Sequence, residues 1–78
     1  MNVLERLKLS SDGFVFDPYT GNSFTINKTG LIIIESLING LSEKEIISKI
    51  TEEYDVSKEE AERDYWDFLD QLKIYLLI

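Results

Sequence analysis

The groups in this 78-residue sequence that could do chemistry are nearly all carboxylates: 15 Asp and Glu against eight Lys and Arg, with no histidine and no cysteine. Without histidine the chain lacks the commonest general base and the commonest metal ligand. Without cysteine it has no thiolate nucleophile, no disulfide framework and no cysteine-based zinc site. A catalytic pair of carboxylates needs surroundings that push two pKa values apart, and the acids here have simpler uses. Glu45 and Glu60 each stand three residues after a serine, the spacing of a capping box, and Glu43 and Glu59 favour the positive ends of helix dipoles. Glu62, Asp67 and Asp70 read as a solvated helical face. Thr29-Gly30 lacks the glycine spacing and lysine of a phosphate loop, and no stretch has the Asp-x-Asp-x-Asp-Gly pattern of a calcium loop. The expectation is a protein that is not an enzyme, with no catalytic residue, no metal and no cofactor.

Two features suit recognition instead. Residues Asn22, Ser23, Phe24, Thr25 and Ile26 form a short alternating segment without lysine or proline. If it lies at the margin of a sheet, that edge is unprotected against pairing with another extended chain. The alternative is an edge covered by the rest of the fold. The second feature is Trp66, which falls beside Glu62, Leu69 and Lys73 on a helical wheel, away from the main apolar stripe. A marginal tryptophan serves as an interface anchor or closes the edge of a small core. A net charge of −7 disfavours phosphate backbones as partners.

The elements that must position these residues are marked by turns and caps. Asp17-Pro18-Tyr19-Thr20-Gly21 is a turn signal, with Pro preset for its second position and Gly21 free to take the left-handed conformation. Four loop residues set Asp17 against Asn22, Phe16 against Ser23, Val15 against Phe24 and Phe14 against Thr25. One face then carries Val15, Phe24 and Ile26 toward the core. The other carries Phe14, Phe16, Ser23 and Thr25, with the two phenylalanines expected to pack under the N-terminal segment; the alternative is that they form a binding surface. Before this hairpin, Ser10-Ser11-Asp12-Gly13 is a further turn, and the stretch up to Leu9 fits either a short strand or a helical turn.

Three helices follow. Asn27 caps the first, from about Lys28 to Asn39, which Gly40 stops; its expected inward stripe is Leu31, Ile34, Leu37, Ile38 and Leu41. Ile32 and Ile33 make it apolar nearly all round, the mark of a central helix. Ser42-Glu43-Lys44-Glu45 opens the second, burying Ile46, Ile47, Ile50 and Tyr54. Ser57-Lys58-Glu59-Glu60 opens the third, burying Ala61, Tyr65, Phe68, Leu69 and Leu72. A chain this short forms one small domain over residues 1–78. No apolar run reaches the ~20 residues of a membrane span and no signal-peptide core opens it, so a soluble, cytoplasmic protein is expected.

Taken in order, these segments resemble a known family. Phe16-Asp17-Pro18-Tyr19-Thr20-Gly21, Ile26-Asn27-Lys28-Thr29-Gly30, Leu37-Ile38-Asn39-Gly40-Leu41-Ser42 and Glu53-Tyr54-Asp55-Val56, followed by Phe68-Leu69-Asp70-Gln71-Leu72, are similar to the PqqD family, pyrroloquinoline-quinone biosynthesis protein D. The resemblance implies an α+β, winged-helix-like fold of three antiparallel strands followed by three helices. It implies a stand-alone peptide chaperone that binds the leader of a ribosomally synthesised precursor peptide by strand addition. The partners would be that precursor and a modifying enzyme, often of the radical S-adenosylmethionine type. Carried onto this chain, the peptide-binding residues are Asn22, Ser23, Phe24, Thr25 and Ile26 together with Glu62, Trp66, Leu69 and Lys73 of the third helix. One departure stands at the end: members often place a glycine before the last apolar residues, and Lys73-Ile74-Tyr75-Leu76-Leu77-Ile78 has none. That tail is free to dock on the domain or on a partner. Two rivals remain, a winged-helix DNA-binding regulator and a scaffolding subunit that never touches the peptide. The first is disfavoured by the third helix, where Glu59, Glu60, Glu62, Asp64, Asp67 and Asp70 outnumber Lys58, Arg63 and Lys73.

Overall fold

The structure is a computed structural model and describes residues 3–76. A 3-10 turn, Val3–Arg6, leads into strand β1, Lys8–Leu9, so both readings of the N-terminal stretch apply, one after the other. Strands β2, Phe14–Phe16, and β3, Ser23–Thr25, complete an antiparallel sheet of order β1-β2-β3. Helices α1, Lys28–Ile38, α2, Glu43–Tyr54, and α3, Lys58–Leu76, follow. The expected α+β order is the observed one, with Phe14 opposite Thr25, Val15 opposite Phe24 and Phe16 opposite Ser23.

The turn before β2 depends on Gly13, whose φ is 86° and whose N–H donates to the Ser10 carbonyl at 3.1 Å. A Cβ on Gly13 would collide with the Ile26 carbonyl oxygen, so this position needs both the freedom and the space that glycine supplies. Val15 is fully buried and Phe24 and Ile26 pack partly against the core. Phe14 and Phe16 stay 47% and 37% exposed on the opposite face, contrary to the expectation that the N-terminal segment covers them. The reason is local: β1 is two residues long, and Lys8, which pairs with Phe16, is exposed on that same face.

Each helix starts where its cap places it. The Gly30 N–H donates to Asn27 Oδ1 at 2.8 Å. The Ser42–Glu45 capping box is complete, with reciprocal bonds of 3.0 and 3.2 Å. At α3 the Glu60 N–H donates to Ser57 Oγ at 3.1 Å. Helix α1 ends in a Schellman motif: the Gly40 N–H reaches the Leu37 carbonyl and the Leu41 N–H the Ser36 carbonyl.

The core gathers Leu4, Leu7, Val15, Ile33, Ile34, Ile46, Ile47, Ile50, Ala61, Tyr65, Phe68 and Leu72. The α2 and α3 stripes lie where the periodicity puts them, except that Tyr54 and Leu69, expected to be buried, are half-buried. The α1 stripe is rotated from expectation: Gly30, Ile33, Ile34 and Ser36 are buried, while Leu31, Leu37, Ile38 and Leu41 are half-buried. A helix apolar on every side gives hydrophobicity little power to choose its inner face, and close approach at Gly30 decides it. Helix α3 runs unbroken to Leu76; of its apolar tail, residues 77 and 78 lie outside the described residues, as do 1 and 2.

Candidate functional site

With β1 on the far side of β2, one margin of β3 is unpaired by another strand among the described residues. The Asp17 N–H donates to the Asn22 carbonyl and the Ile26 N–H to the Gly13 carbonyl, each at 2.8 Å. Bonded and non-bonded pairs alternate along an antiparallel ladder. With Val15 opposite Phe24, the N–H and C=O groups of Ser23 and Thr25 therefore point away from β2. One detail departs from the regular pattern. The Asn22 N–H donates to Thr20 Oγ1 at 3.3 Å, because Gly21, at φ 79°, brings its own N–H onto the Asp17 carbonyl at 2.8 Å.

Beside this open margin lies a cleft of about 250 Å³. Thr25, Ile26 and Asn27 form one wall, Thr29 and Gly30 its end, and Asp64, Asp67, Phe68 and Gln71 of α3 the other wall. Gly30 sets the closeness of these parts. A Cβ there would stand 2.6 Å from Phe68 Cε1 and 3.2 Å from Ile26 Cβ, so α1 begins flush against the Phe68 ring. Further along α3 the Tyr75 ring stacks on Phe24, centroids 4.5 Å apart and planes within 4°. Strand and helix thus run in opposite directions, Phe24 beside Tyr75 and Ile26 beside Phe68.

The sequence-predicted residues divide. Asn22 to Ile26 stand together at the open margin. Glu62, Trp66, Leu69 and Lys73 are not brought to it. At about 100° per residue, Asp64, Phe68, Gln71 and Tyr75 share one flank of α3 and those four share the opposite one. Glu62 lines a separate cleft with Glu43, Lys44, Ile47, Ser48 and Thr51 of α2 and with Lys58. Trp66 is 50% exposed, its ring edge-on to Tyr65 at 5.2 Å; Leu69 is half-buried and Lys73 exposed. The core stripe of α3 has two margins, and the one that carries Trp66 lies away from the strand, whereas Phe68 and Tyr75 stand on the other.

The hairpin that holds β3 is fastened by a contact that sequence reasoning missed. Arg6 Nε and Nη2 donate to Asp17 Oδ1 and Oδ2 at 2.9 and 2.8 Å. Asp17, with a side chain only 1% exposed, also accepts the Tyr19 N–H at 3.0 Å and the Thr20 hydroxyl at 3.1 Å. The Arg6 guanidinium lies 4.7 Å over the Tyr19 ring. The hydrogen bonds from Arg6, aided by those from Tyr19 and Thr20, lower the Asp17 pKa to about 2 against the opposing cost of burial. The signal available was Asp-Pro-x-Thr, a carboxylate placed to accept from its own turn.

Over residues 12–78 the chain matches the family described as Coenzyme PQQ synthesis protein D (PqqD). The chain belongs to the PqqD family. Among solved structures, this PqqD-family chain is similar to one titled "Lasso peptide synthetase B1 complexed with the leader peptide". The two are 27% identical, the match covers 90% of this chain and 84% of that one, and the TM-score is 0.76. No curated protein matches in sequence. The family resemblance carried by the turns and helix breaks is therefore correct, as is the fold it implies. In addition, no helix among the described residues is long and apolar enough to cross a membrane.

Proposed function

We propose that this chain is a non-catalytic recognition domain for the leader of a ribosomally made precursor peptide, holding that leader for a modifying enzyme. The leader would add as a strand along β3, its main chain pairing with Ser23 and Thr25, and its side chains reaching the cleft against α3. Strand addition of this kind draws affinity from main-chain hydrogen bonds and specificity from pockets for alternate side chains. The observation that carries this reading is the open margin of β3 beside a cleft walled by Phe68 and Gln71. Its similarity to a synthetase subunit whose title names a bound leader peptide supports the same choice of ligand.

Proline substitution tests the mode of binding, since proline removes a donor that an edge strand spares only on its outward side. Thr25→Pro should leave the domain folded and weaken the binding of leader peptides drawn from short reading frames beside the gene. Phe24→Pro should damage the fold itself, because that N–H points to β2. A thermal melt and a peptide titration on each variant decide the matter. Undiminished binding by Thr25→Pro rules out strand addition at this margin.

A further inference from the structure

The cleft beside β3 has a charge character that sets the chemistry of its occupant. Asp64 and Asp67 are the only charged ones lining it among the described residues, and both are negative. Among the described residues neither joins an ion pair: the two pairs formed are Arg6 with Asp17 and Lys58 with Glu62. Asp64 is half-buried and Asp67 exposed, one turn apart at the rim, while the wall beneath them is the Phe68 ring and Ile26. The cleft therefore offers a small apolar wall of Phe68 and Ile26 within a lining that is mostly polar and includes two carboxylates.

An added strand would continue the alternation of the sheet. Its side chains level with Phe24 and Ile26 would point to the α3 side, and those level with Ser23 and Thr25 to the side of Phe14 and Phe16. The side chain level with Phe24 meets the Phe24–Tyr75 stack. The one two residues along, level with Ile26, meets Phe68 below and Asp64 and Asp67 above. A lysine or arginine matches that order, its methylene stem on apolar surface and its charged head at the rim. An acidic side chain there would meet two like charges, and a short polar one would reach neither carboxylate. The net charge of −7 favours the approach of a cationic segment as well.

We infer that this cleft selects peptide segments carrying a lysine or arginine level with Ile26, with Asp64 and Asp67 as the residues that read it. The inference deepens the proposed leader-binding role and rests on it.

The test is a display selection with short random peptides on the immobilised protein, followed by NMR and titration with synthesised winners. Winners that shift the Ser23 and Thr25 amide resonances are expected to share a Lys or Arg at one fixed position. Replacing that residue with norleucine should weaken binding about tenfold or more at low salt, and high salt should shrink the difference. The Asp64→Asn/Asp67→Asn protein, checked for an unchanged melt, should lose the same factor with the cationic peptide and bind the norleucine peptide as the parent does. Winners that shift the β3 amides but share no basic position, or that bind the double variant undiminished, overturn the inference and leave the leader-binding role standing. Peptide binding that never perturbs the β3 amides overturns both.

Discussion

The hairpin turn and the β3–α3 cleft are two polar sites at either end of β3, and they are built in opposite ways. At the turn, the buried Asp17 carboxylate is fully engaged by Arg6, Tyr19 and Thr20. At the cleft, the outward groups of Ser23 and Thr25 have no strand beside them, and Asp64 and Asp67 have no cationic partner among the described residues. A buried charge is tolerated only when its hydrogen bonds are satisfied within the fold. Groups that keep contact with water can wait for an outside partner. The contrast separates a polar cluster that holds the scaffold from one that is available to a ligand.

The largest expected effect comes from opening the closed site. Asp17→Ala removes the acceptor of two guanidinium donors, one backbone N–H and one hydroxyl, and leaves Arg6 without its partner. Loss of cooperative melting, or a deeper drop in Tm than Gly30→Ala or Trp66→Ala produces, is the expected result. If Asp17→Ala melts like the parent, the turn does not hold the hairpin and the contrast fails.

Acid tests the same contact without mutation. Asp17 has a folded pKa of about 2 against an ordinary value of 3.8. A depressed carboxylate contributes stability that is present above the unfolded pKa and is lost as pH falls through the folded one. Tm should therefore fall between about pH 4 and pH 2. Glu45, also held low by the Ser42 backbone N–H, adds to the fall in the same direction. Asp17→Asn should start from a lower Tm and show a shallower fall across that window. Equal slopes for parent and variant would assign the acid sensitivity to other carboxylates.

A smaller effect is expected where the open site is walled. Gly30→Ala places a methyl group 2.6 Å from a Phe68 ring that is itself buried. Overpacking of this kind costs about 1–3 kcal/mol, against which alanine returns up to about 1 kcal/mol of helix propensity. The net should be a modest loss in chemical denaturation with a larger proportional loss of peptide binding, since the wall of the cleft must move. A variant that loses stability but binds as before would show that the cleft tolerates a displaced Phe68.

The smallest effect is expected at Trp66. It lies on the flank of α3 away from β3, so Trp66→Ala should change peptide affinity by less than about twofold, and its emission should barely move on saturation. A strong fluorescence response would return the binding face to the Glu62–Lys73 flank and reverse the comparison.

Much of the scaffold was legible because its signals are local. Loop length from Asp17 to Asn22 fixed which residues of β2 and β3 oppose each other, and a one-residue slip would have turned Val15 out of the core. Asn27, Ser42 and Ser57 marked helix starts through contacts that reach only three residues. What stayed hidden depends on how elements meet. The Arg6–Asp17 pair joins residues 11 apart that no periodic pattern connects. Gly30 looked like an ordinary first-turn residue until Phe68, 38 positions later, was seen against it. The flank of α3 that faces β3 was undetermined for a similar reason. A helical wheel locates the core stripe, but which margin of that stripe meets the sheet follows from long-range packing, the Phe24–Tyr75 stack and the approach of Gly30 to Phe68.

The shortness of β3 has one further consequence. Its three residues leave two of them, Ser23 and Thr25, with main-chain groups directed outward. A chain that slides by two positions along such an edge regains the same pair of bonds and keeps its side chains on the same faces. The backbone of this strand can therefore hold an extended segment but cannot tell one frame of it from the next. Fixing the frame falls to whatever side chains seat beside Phe24 and Ile26, and a segment of repetitive composition would sample several frames on the same surface.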